Sequence, residues 1–517
     1  MVDIVATTSM GDAWDAAVRS SGDRTFLVYL DANGARTEYT YRQFDQIVCQ
    51  ATWLFRTLDI DTGTVVAMQI SNSPEFISVL LGLVKVGAIA VPIGMKTPAP
   101  ELLGLYQTCR AEWAIVEDSE FATNLDLQTK QAVIPAGLLS VHGSGTRSFE
   151  TLCANQPVTA PPPVKVASDD VAELLFTSGT TASAKAVIIT HANLVYSGHY
   201  AIWQASLRSD DRVFTTMPAC HSNFQLVALS GVIMSGSCLV VSHRYSARRF
   251  WADVRAERAS VIQLTAMMVR TLLLQPANAG DSTHCVRETL YFMPLTDDEK
   301  QSFENRFAVR LLNSYGSTES ICWVVTDPPQ GERRWPSVGR AGLGYEVTIR
   351  DEAGRDLAPG QVGEFWIKGI PGRTLMAGYL NDSQATRAAL NPDGWLRTLD
   401  TGYYDADGWF YFVDRAQNLI KRSGENISST EVEAVLVSHP LICEAAVIGV
   451  PDPLRDQAVK AFIRLELGAD LDRDQIIQFC REHLAAHKVP QYVEFVTDFP
   501  RTASMKIEKR SLNRQST

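Results

Sequence analysis

Nothing in the sequence supplies a scaffold built on disulfides or a metal. The nine cysteines are scattered, odd in number and contain no C-x-x-C pair. Buried, reduced thiols of a cytoplasmic protein are therefore expected rather than a disulfide framework. Among the nine histidines one H-x-x-x-H spacing occurs, His483 to His487, but it lacks the glutamate of H-E-x-x-H and no H-x-H is present, so the common zinc-enzyme patterns are not met. A G-x-S-x-G hydrolase elbow and a Walker A loop, G-x-x-x-x-G-K-[ST], are also missing. Positive charge is in deficit, with 47 Lys and Arg against 58 Asp and Glu and a net charge of −11. No overall basic field exists to hold nucleic acid or an anionic membrane, so any polyanionic ligand must be gripped by local geometry. Long uninterrupted apolar runs are lacking too. Phe76 to Met95 is broken by Lys85, Gly87 and Pro92, and Phe224 to Val241 by Ser230-Gly231 and Ser235-Gly236. Each reads as a buried helix followed by a strand, not a membrane span. The opening residues Met1-Val2-Asp3-Ile4-Val5 carry no basic segment ahead of an apolar one, so no signal peptide is expected.

What is present is ordinary globular composition: 517 residues, 46% apolar and 20% charged. That length exceeds one typical domain several-fold. From residue 12 to 150, and again from 170 to 340, helical segments alternate with short apolar strand candidates such as Val65 to Ile70, Ala88 to Ile93 and Trp113 to Val116. This is the pattern of parallel sheets covered by helices. Pro157 to Pro163 reads as a surface linker. Gly344 to Asp414 changes to short strands with turns, a β-rich subdomain. After Asp414 the order is helix (Ser429 to Val437), two strands, helix (Asp472 to Ala486) and strand (Tyr492 to Val496), a small α+β domain. The fold class expected is α/β, with a large N-terminal domain over 1–414 and a small mobile domain over 415–517.

Four stretches could carry chemistry. The strand candidate Ala172 to Phe176 leads into Thr177-Ser178-Gly179-Thr180-Thr181-Ala182-Ser183-Ala184-Lys185. Hydroxyls, backbone N–H groups and an ammonium are what phosphate oxygens need, although the loop alone fits a polar turn equally well. Asn313-Ser314-Tyr315-Gly316-Ser317-Thr318-Glu319 follows the strand candidate Val309 to Leu312, and its carboxylate beside a hydroxyl suits Mg²⁺ as well as it suits a solvated loop. The third comprises Arg397-Thr398-Leu399-Asp400, Asp414-Arg415 and Lys421 to Ser428. The fourth is Pro500 to Ile507.

In their order and spacing these stretches resemble the adenylate-forming superfamily of acyl-CoA synthetases, peptide-synthetase adenylation domains and luciferases, over about residues 10–512. The resemblance is closest to betaine/carnitine-CoA ligases, through Arg333 to Arg340, Tyr245 to Arg248 and Ser423 to Ser428. It implies an enzyme that forms an acyl-adenylate from ATP and a carboxylic acid and passes the acyl group to coenzyme A. It also implies roles. Thr177, Ser178, Gly179, Thr180, Thr181 and Lys185 would form the phosphate loop. Thr318 would meet the α-phosphate, Glu319 would hold Mg²⁺, and Tyr315 with Gly316 would line the adenine site. Asp400 and Arg415 would bind the ribose. His221 would sit near the acyl carboxylate, with a satisfied core histidine as the competing reading. Lys506 would offset charge during adenylation, Gln417 would be the hinge, and Gly424 would face the site during thioester formation.

The chain departs from that pattern in four places. The usual Pro-Lys-Gly reads Ala184-Lys185-Ala186, Thr-Gly-Asp reads Thr398-Leu399-Asp400, Ser-Gly-Lys reads Ser504-Met505-Lys506, and Gly-Ala-Pro reads Phe292-Met293-Pro294. Three of the four fall on motifs of the ATP-using half-reaction, whereas the Ser423 to Ser428 loop is intact. The expectation is weak or lost adenylation and retained conversion of a pre-formed acyl-AMP, delivered by a separate adenylating enzyme, into acyl-CoA. This combination resembles the acyl-CoA synthetases of platensimycin and platencin biosynthesis, which implies a bulky diterpenoid acid. After His221 the run Ser222-Asn223-Phe224-Gln225-Leu226 holds no acid. With Trp203, Leu264, Leu343 and Trp323 it describes a neutral, apolar acyl pocket that disfavours a cationic head group, though each is also compatible with plain core. The alternatives are a full ATP-dependent acyl-CoA or carnitine-type ligase, an adenylation domain loading a separate carrier protein, and a ligand-binding pseudoenzyme.

Overall fold

The computed structural model describes residues 4–97, 99–117, 134, 136–143, 147–177, 185–415, 419–422, 425–452, 456–501 and 507–514. It groups into two compact units. The first comprises Met1–Trp335, Gly339–Glu346 and Ile367–Leu396, and the second Pro336–Val338, Val347–Trp366 and Arg397–Thr517. Among the described residues no helix is long and apolar enough to cross a membrane.

The first unit is α/β, with two sheets. The seven-stranded sheet runs from Gly137–Val141 at one edge through Trp113–Glu117, Val65–Gln69 and Ile89–Pro92 to β1 (Val171–Thr177) and β2 (Lys185–Thr190). The nine-stranded sheet is parallel through its centre and includes Val261–Thr265, Glu288–Phe292 and β3 (Leu311–Tyr315). The two-residue strand β4 (Gly378–Tyr379) closes the other edge of the seven-stranded sheet, antiparallel to β2.

The apolar stretch starting at Phe76 shows how local signals build these layers. Ser73 caps the helix Pro74–Val86, its hydroxyl accepting from the Phe76 N–H, and a proline occupies the first turn. Gly87, at φ +76°, ends the helix in the left-handed conformation that costs glycine least. The strand Ile89–Pro92 follows, as the interrupted pattern predicts. Phe224 to Val241 likewise becomes a π-helical segment (Asn223–Leu229), the helix Ser230–Ser235 and the strand Cys238–Ser242. Six of the nine cysteines are buried, and all nine are free thiols.

The second unit holds the four-stranded sheet of the β-rich segment, including β5 (Trp395–Tyr404) and β6 (Phe410–Arg415). It also holds a five-stranded sheet flanked by α1 (Ser429–Val437), α2 (Arg473–His483) and the terminal α3 (Lys509–Arg514).

Two expectations need correction. The strand before Glu319 was expected at Val309 to Leu312; it runs Leu311–Tyr315, starting later and taking in Asn313, Ser314 and Tyr315. Polar residues persist in this strand because partners elsewhere satisfy them. Asp327 Oδ2 accepts the Asn313 N–H at 2.9 Å, and Gln204 Nε2 donates to Ser314 Oγ at 3.0 Å and to Thr326 Oγ1 at 2.8 Å. Arg397 to Asp400 likewise belongs to a ten-residue strand rather than a loop.

Candidate active site

In the first unit the phosphate-loop candidate is the connection of a hairpin. Thr177 and Lys185 face each other across β1 and β2, so the segment between them springs from a paired base. Ser178, Gly179, Thr180 and Thr181 lie outside the described residues. The Lys185 ammonium rests 4.8 Å from the centroid of the Tyr379 ring. The Tyr379 hydroxyl donates to Glu319 Oε1 at 3.1 Å. Burial, reinforced by the Glu319 charge, pushes the Tyr379 phenol well above its ordinary pKa, so it stays a donor. The Met376 N–H donates to the Glu319 carbonyl at 2.9 Å. Tyr379 has no counterpart among the sequence candidates. Its partner Glu319 lies 60 positions away and no local pattern announces the contact.

Glu319 and Thr318 are presented, half-buried, on a tight turn after β3. Tyr315 is buried, and a Cβ on Gly316 would lie 2.3 Å from the Cys322 carbonyl oxygen, so only glycine fits there. The Ser317 N–H donates to Ser320 Oγ at 2.8 Å. Ile321 then takes φ +68°, a strained conformation for a β-branched residue. The carboxylate, with only one oxygen engaged by Tyr379, and the neighbouring Thr318 hydroxyl are hard oxygen donors that fit Mg²⁺.

His221 is half-buried at the entrance of the π-helical segment, its carbonyl accepting from the N–H groups of Phe224 and Gln225. Asn72 clamps the approach. Its Oδ1 accepts the Ala219 N–H at 2.7 Å, and its Nδ2 donates to the Met217 carbonyl at 2.9 Å. Among the acyl-pocket candidates, Trp323 Nε1 donates to Asn223 Oδ1 at 3.1 Å, and the Phe292 and Trp323 rings lie 5.2 Å apart. Tyr200 joins two more, its ring 5.2 Å from Trp203 and its hydroxyl donating to the Trp323 carbonyl at 2.7 Å. The Tyr196 hydroxyl donates to the Leu343 carbonyl at 2.6 Å. Leu343 itself is 41% exposed, whereas Phe224 and Leu264, at 1% and 0%, are core residues.

In the second unit Asp400 and Arg415 are register partners across β5 and β6. The Asp400 side chain is buried. Leu399 is at φ +59° and 47% exposed, its N–H donating to Glu364 Oε1 at 3.1 Å. Gly424 and Gln417, the hinge candidate, lie outside the described residues; Arg422 and Glu425, on either side of Gly424, are register partners in an antiparallel pair. Lys506 is also outside them, and the segment holding it is flanked by a bridge between Arg501 and Ile507. Asp414 Oδ2 accepts from Ser428 Oγ at 2.9 Å, Ser429 Oγ at 3.1 Å and the Thr430 N–H at 3.1 Å, pinning the start of α1.

The chain matches the AMP-binding enzyme family over residues 14–380 and the AMP-binding enzyme C-terminal domain over residues 431–506. It is 40% identical over 519 residues to a crotonobetaine/carnitine–CoA ligase of Escherichia coli, covering 99% of this chain and 100% of the relative. The fold matches ATP-bound MatB from Rhodopseudomonas palustris with a TM-score of 0.88 at 23% identity, covering 98% of this chain and 99% of that one. It matches an anthranilate CoA ligase in complex with anthranoyl-AMP with a TM-score of 0.87 at 24% identity, covering 99% and 97%. The chain belongs to the AMP-binding enzyme family and is an acyl-CoA ligase of the adenylate-forming superfamily, using ATP or AMP and coenzyme A and forming a carbon–sulfur bond.

Proposed function

We propose that this ligase chiefly performs the second half-reaction, converting a pre-formed acyl-adenylate and coenzyme A into the thioester and AMP. The observation that carries the reading is Leu399. It occupies φ +59° immediately before Asp400, where the superfamily pattern has a glycine. A branched side chain there costs about 1–2 kcal/mol of backbone strain and stands beside the ribose-binding carboxylate. Ala184 and Ala186 around Lys185 add to it, since the flanking Pro and Gly that shape the loop over triphosphate are gone. Thiolate attack on an acyl phosphate anhydride needs positioning more than activation, so it tolerates those losses.

The residue roles follow the motif match. Thr177 to Lys185 and Thr318 hold phosphate, Tyr315 and Gly316 the adenine, and Asp400 and Arg415 the ribose. Glu319 holds the magnesium ion, which when bound supplies charge neutralisation at the phosphates. His221 lies by the acyl carboxylate. Lys506 serves whatever adenylation remains, and Gly424 faces the thiol step. A domain over 415–517 swings about Gln417 between the two steps. The acyl group is a bulky, neutral, apolar acid of diterpenoid type, a reading supported by the run Ser222 to Leu226 after His221, which holds no acid. A separate adenylating enzyme supplies the acyl-AMP, and the reaction takes place in the cytoplasm.

The test offers synthetic acyl-AMP with coenzyme A in one assay, and ATP with free acid and coenzyme A in another. Turnover at least tenfold faster from acyl-AMP is expected, with weak ATP–pyrophosphate exchange. Equal turnover with robust exchange would replace the proposal with a second reading, a full ATP-dependent carnitine-type ligase, which the 40% identity to a crotonobetaine/carnitine–CoA ligase favours. Saturable use of carnitine would decide the acyl group against a neutral acid.

A further inference from the structure

We propose that Tyr379 is a positioning residue that seats Lys185 and Glu319 for magnesium-bound triphosphate. The inference rests on the reading of those two residues given above. The tyrosine backbone has little freedom. Tyr379 pairs with Val187 and Gly378 with Ile188 across β4 and β2, and the Leu380 N–H donates to the Ala186 carbonyl at 2.9 Å. The Tyr379 N–H donates to Thr386 Oγ1 at 2.9 Å. Gly378 takes φ +148°, and a Cβ there would lie 2.9 Å from Thr386 Cγ2, so the segment carrying the ring is locked against α-helical turn residues that nothing bulkier would tolerate.

From that seat the ring uses both of its chemistries. Its face meets the Lys185 ammonium at 4.8 Å from the centroid, and its edge hydroxyl donates to Glu319 Oε1 at 3.1 Å. The same short segment also holds the Glu319 backbone through the Met376 N–H. Lys185 and Glu319 carry opposite charges. A direct ion pair would take the ammonium from the phosphates and the carboxylate from the metal. Contact through a neutral phenol holds each group in place and leaves both charges for the ligand. The device also bears on the altered loop. With alanine in place of proline before Lys185, the fixed φ ahead of the strand is lost, and the contact with Tyr379 matters more for where the ammonium sits.

Equilibrium binding of ATP and of AMP to the full chain, each with and without magnesium, tests this by calorimetry on wild type, Tyr379→Phe and Tyr379→Leu. Tyr379→Phe keeps the ring face and removes the hydroxyl. It is expected to lose about three- to tenfold of the tightening that magnesium gives to ATP binding. Tyr379→Leu is expected to lose that and, in addition, about threefold in magnesium-free ATP affinity. AMP, which lacks the β- and γ-phosphates, should bind both variants within about twofold of wild type, whereas general damage to the site would weaken AMP and ATP together. An unchanged magnesium effect in Tyr379→Phe, a matching loss of AMP binding, or no magnesium effect in wild type would each overturn the proposal. Failure of wild type to make thioester from acyl-AMP would instead overturn the functional reading and leave this result standing.

Discussion

Asp400 and Arg415 sit directly opposite each other on the antiparallel strands β5 and β6, although fourteen intervening residues form the rest of that hairpin. Their pairing puts the two ribose-binding candidates side by side in one sheet, and Leu399, at φ +59°, immediately precedes Asp400.

Leu399 is therefore the place to change the balance of the two half-reactions. Leu399→Gly removes the side-chain strain but frees the unfolded chain, so stability should stay within about 1 kcal/mol of wild type. ATP–pyrophosphate exchange should rise at least threefold. Leu399→Val puts a β-branched side chain at φ +59° and should cost about 1–2 kcal/mol in denaturant unfolding. Unchanged exchange in Leu399→Gly would separate the strain from the chemistry.

Gly316→Ala tests the turn that presents Thr318 and Glu319. The new methyl would meet the Cys322 carbonyl oxygen at 2.3 Å and the Trp323 Cα at 2.8 Å, both backbone atoms that cannot swing aside. A loss of about 2 kcal/mol or more is expected in thermal or denaturant unfolding, with AMP affinity falling alongside. A variant as stable as wild type that binds AMP normally would show that the turn is softer than its contacts suggest.

Asp414→Ala should destabilise the second unit by about 2–4 kcal/mol, because it removes the acceptor of Ser429 Oγ and of the Thr430 N–H at the start of α1 and leaves Ser428 Oγ only the Val413 carbonyl. Asp414→Asn should lose roughly half as much, keeping the acceptor oxygen without its charge. Urea unfolding followed by hydrogen exchange in α1 reads both. Equal effects of the two substitutions would show that the charge contributes nothing.

Glu173 gives the protein a pH-dependent weakness. It is completely buried in β1, both carboxylate oxygens lack a hydrogen-bond partner among the described residues, and burial pushes its pKa up to about 8. A raised carboxyl pKa means that the folded state holds a proton the unfolded chain releases. The stability this site contributes is complete below about pH 4.5 and declines as the pH rises to about 8, by up to ~5 kcal/mol. Glu173→Gln cannot ionise, so its unfolding free energy should lack that component of the decline. Parallel pH–stability curves for the two proteins would rule the ionisation out.

Motif residues were legible wherever function depends on chain-local chemistry. The hydroxyl-rich loop before Lys185, the Thr318-Glu319 pair and the Asp400 and Arg415 segments all stand in the primary structure in the order the superfamily uses. Helix Pro74–Val86 was legible as well, since its serine cap, first-turn proline and terminal glycine are neighbours in sequence. Strand limits around Asn313 to Tyr315 and Arg397 to Asp400 were not. Polar residues read as loop until it is known that Gln204, Thr326 and Asp327 wait to bond with the first group, and Phe365, whose carbonyl accepts from Thr398 Oγ1, with the second.

The sequence by itself determined the family, the alternation of strands and helices, and the four motif changes, because residue type, spacing and periodicity are properties of the chain alone. Only the tertiary structure decided that Tyr379 reaches both Lys185 and Glu319, that Asn72 clamps the loop before His221, and that Leu399 bears a left-handed backbone. The physical reason is the same in each case. A hydrogen bond, a ring contact or a strained dihedral is settled by what the fold brings alongside, and those partners lie far away in sequence or depend on the path of a whole sheet.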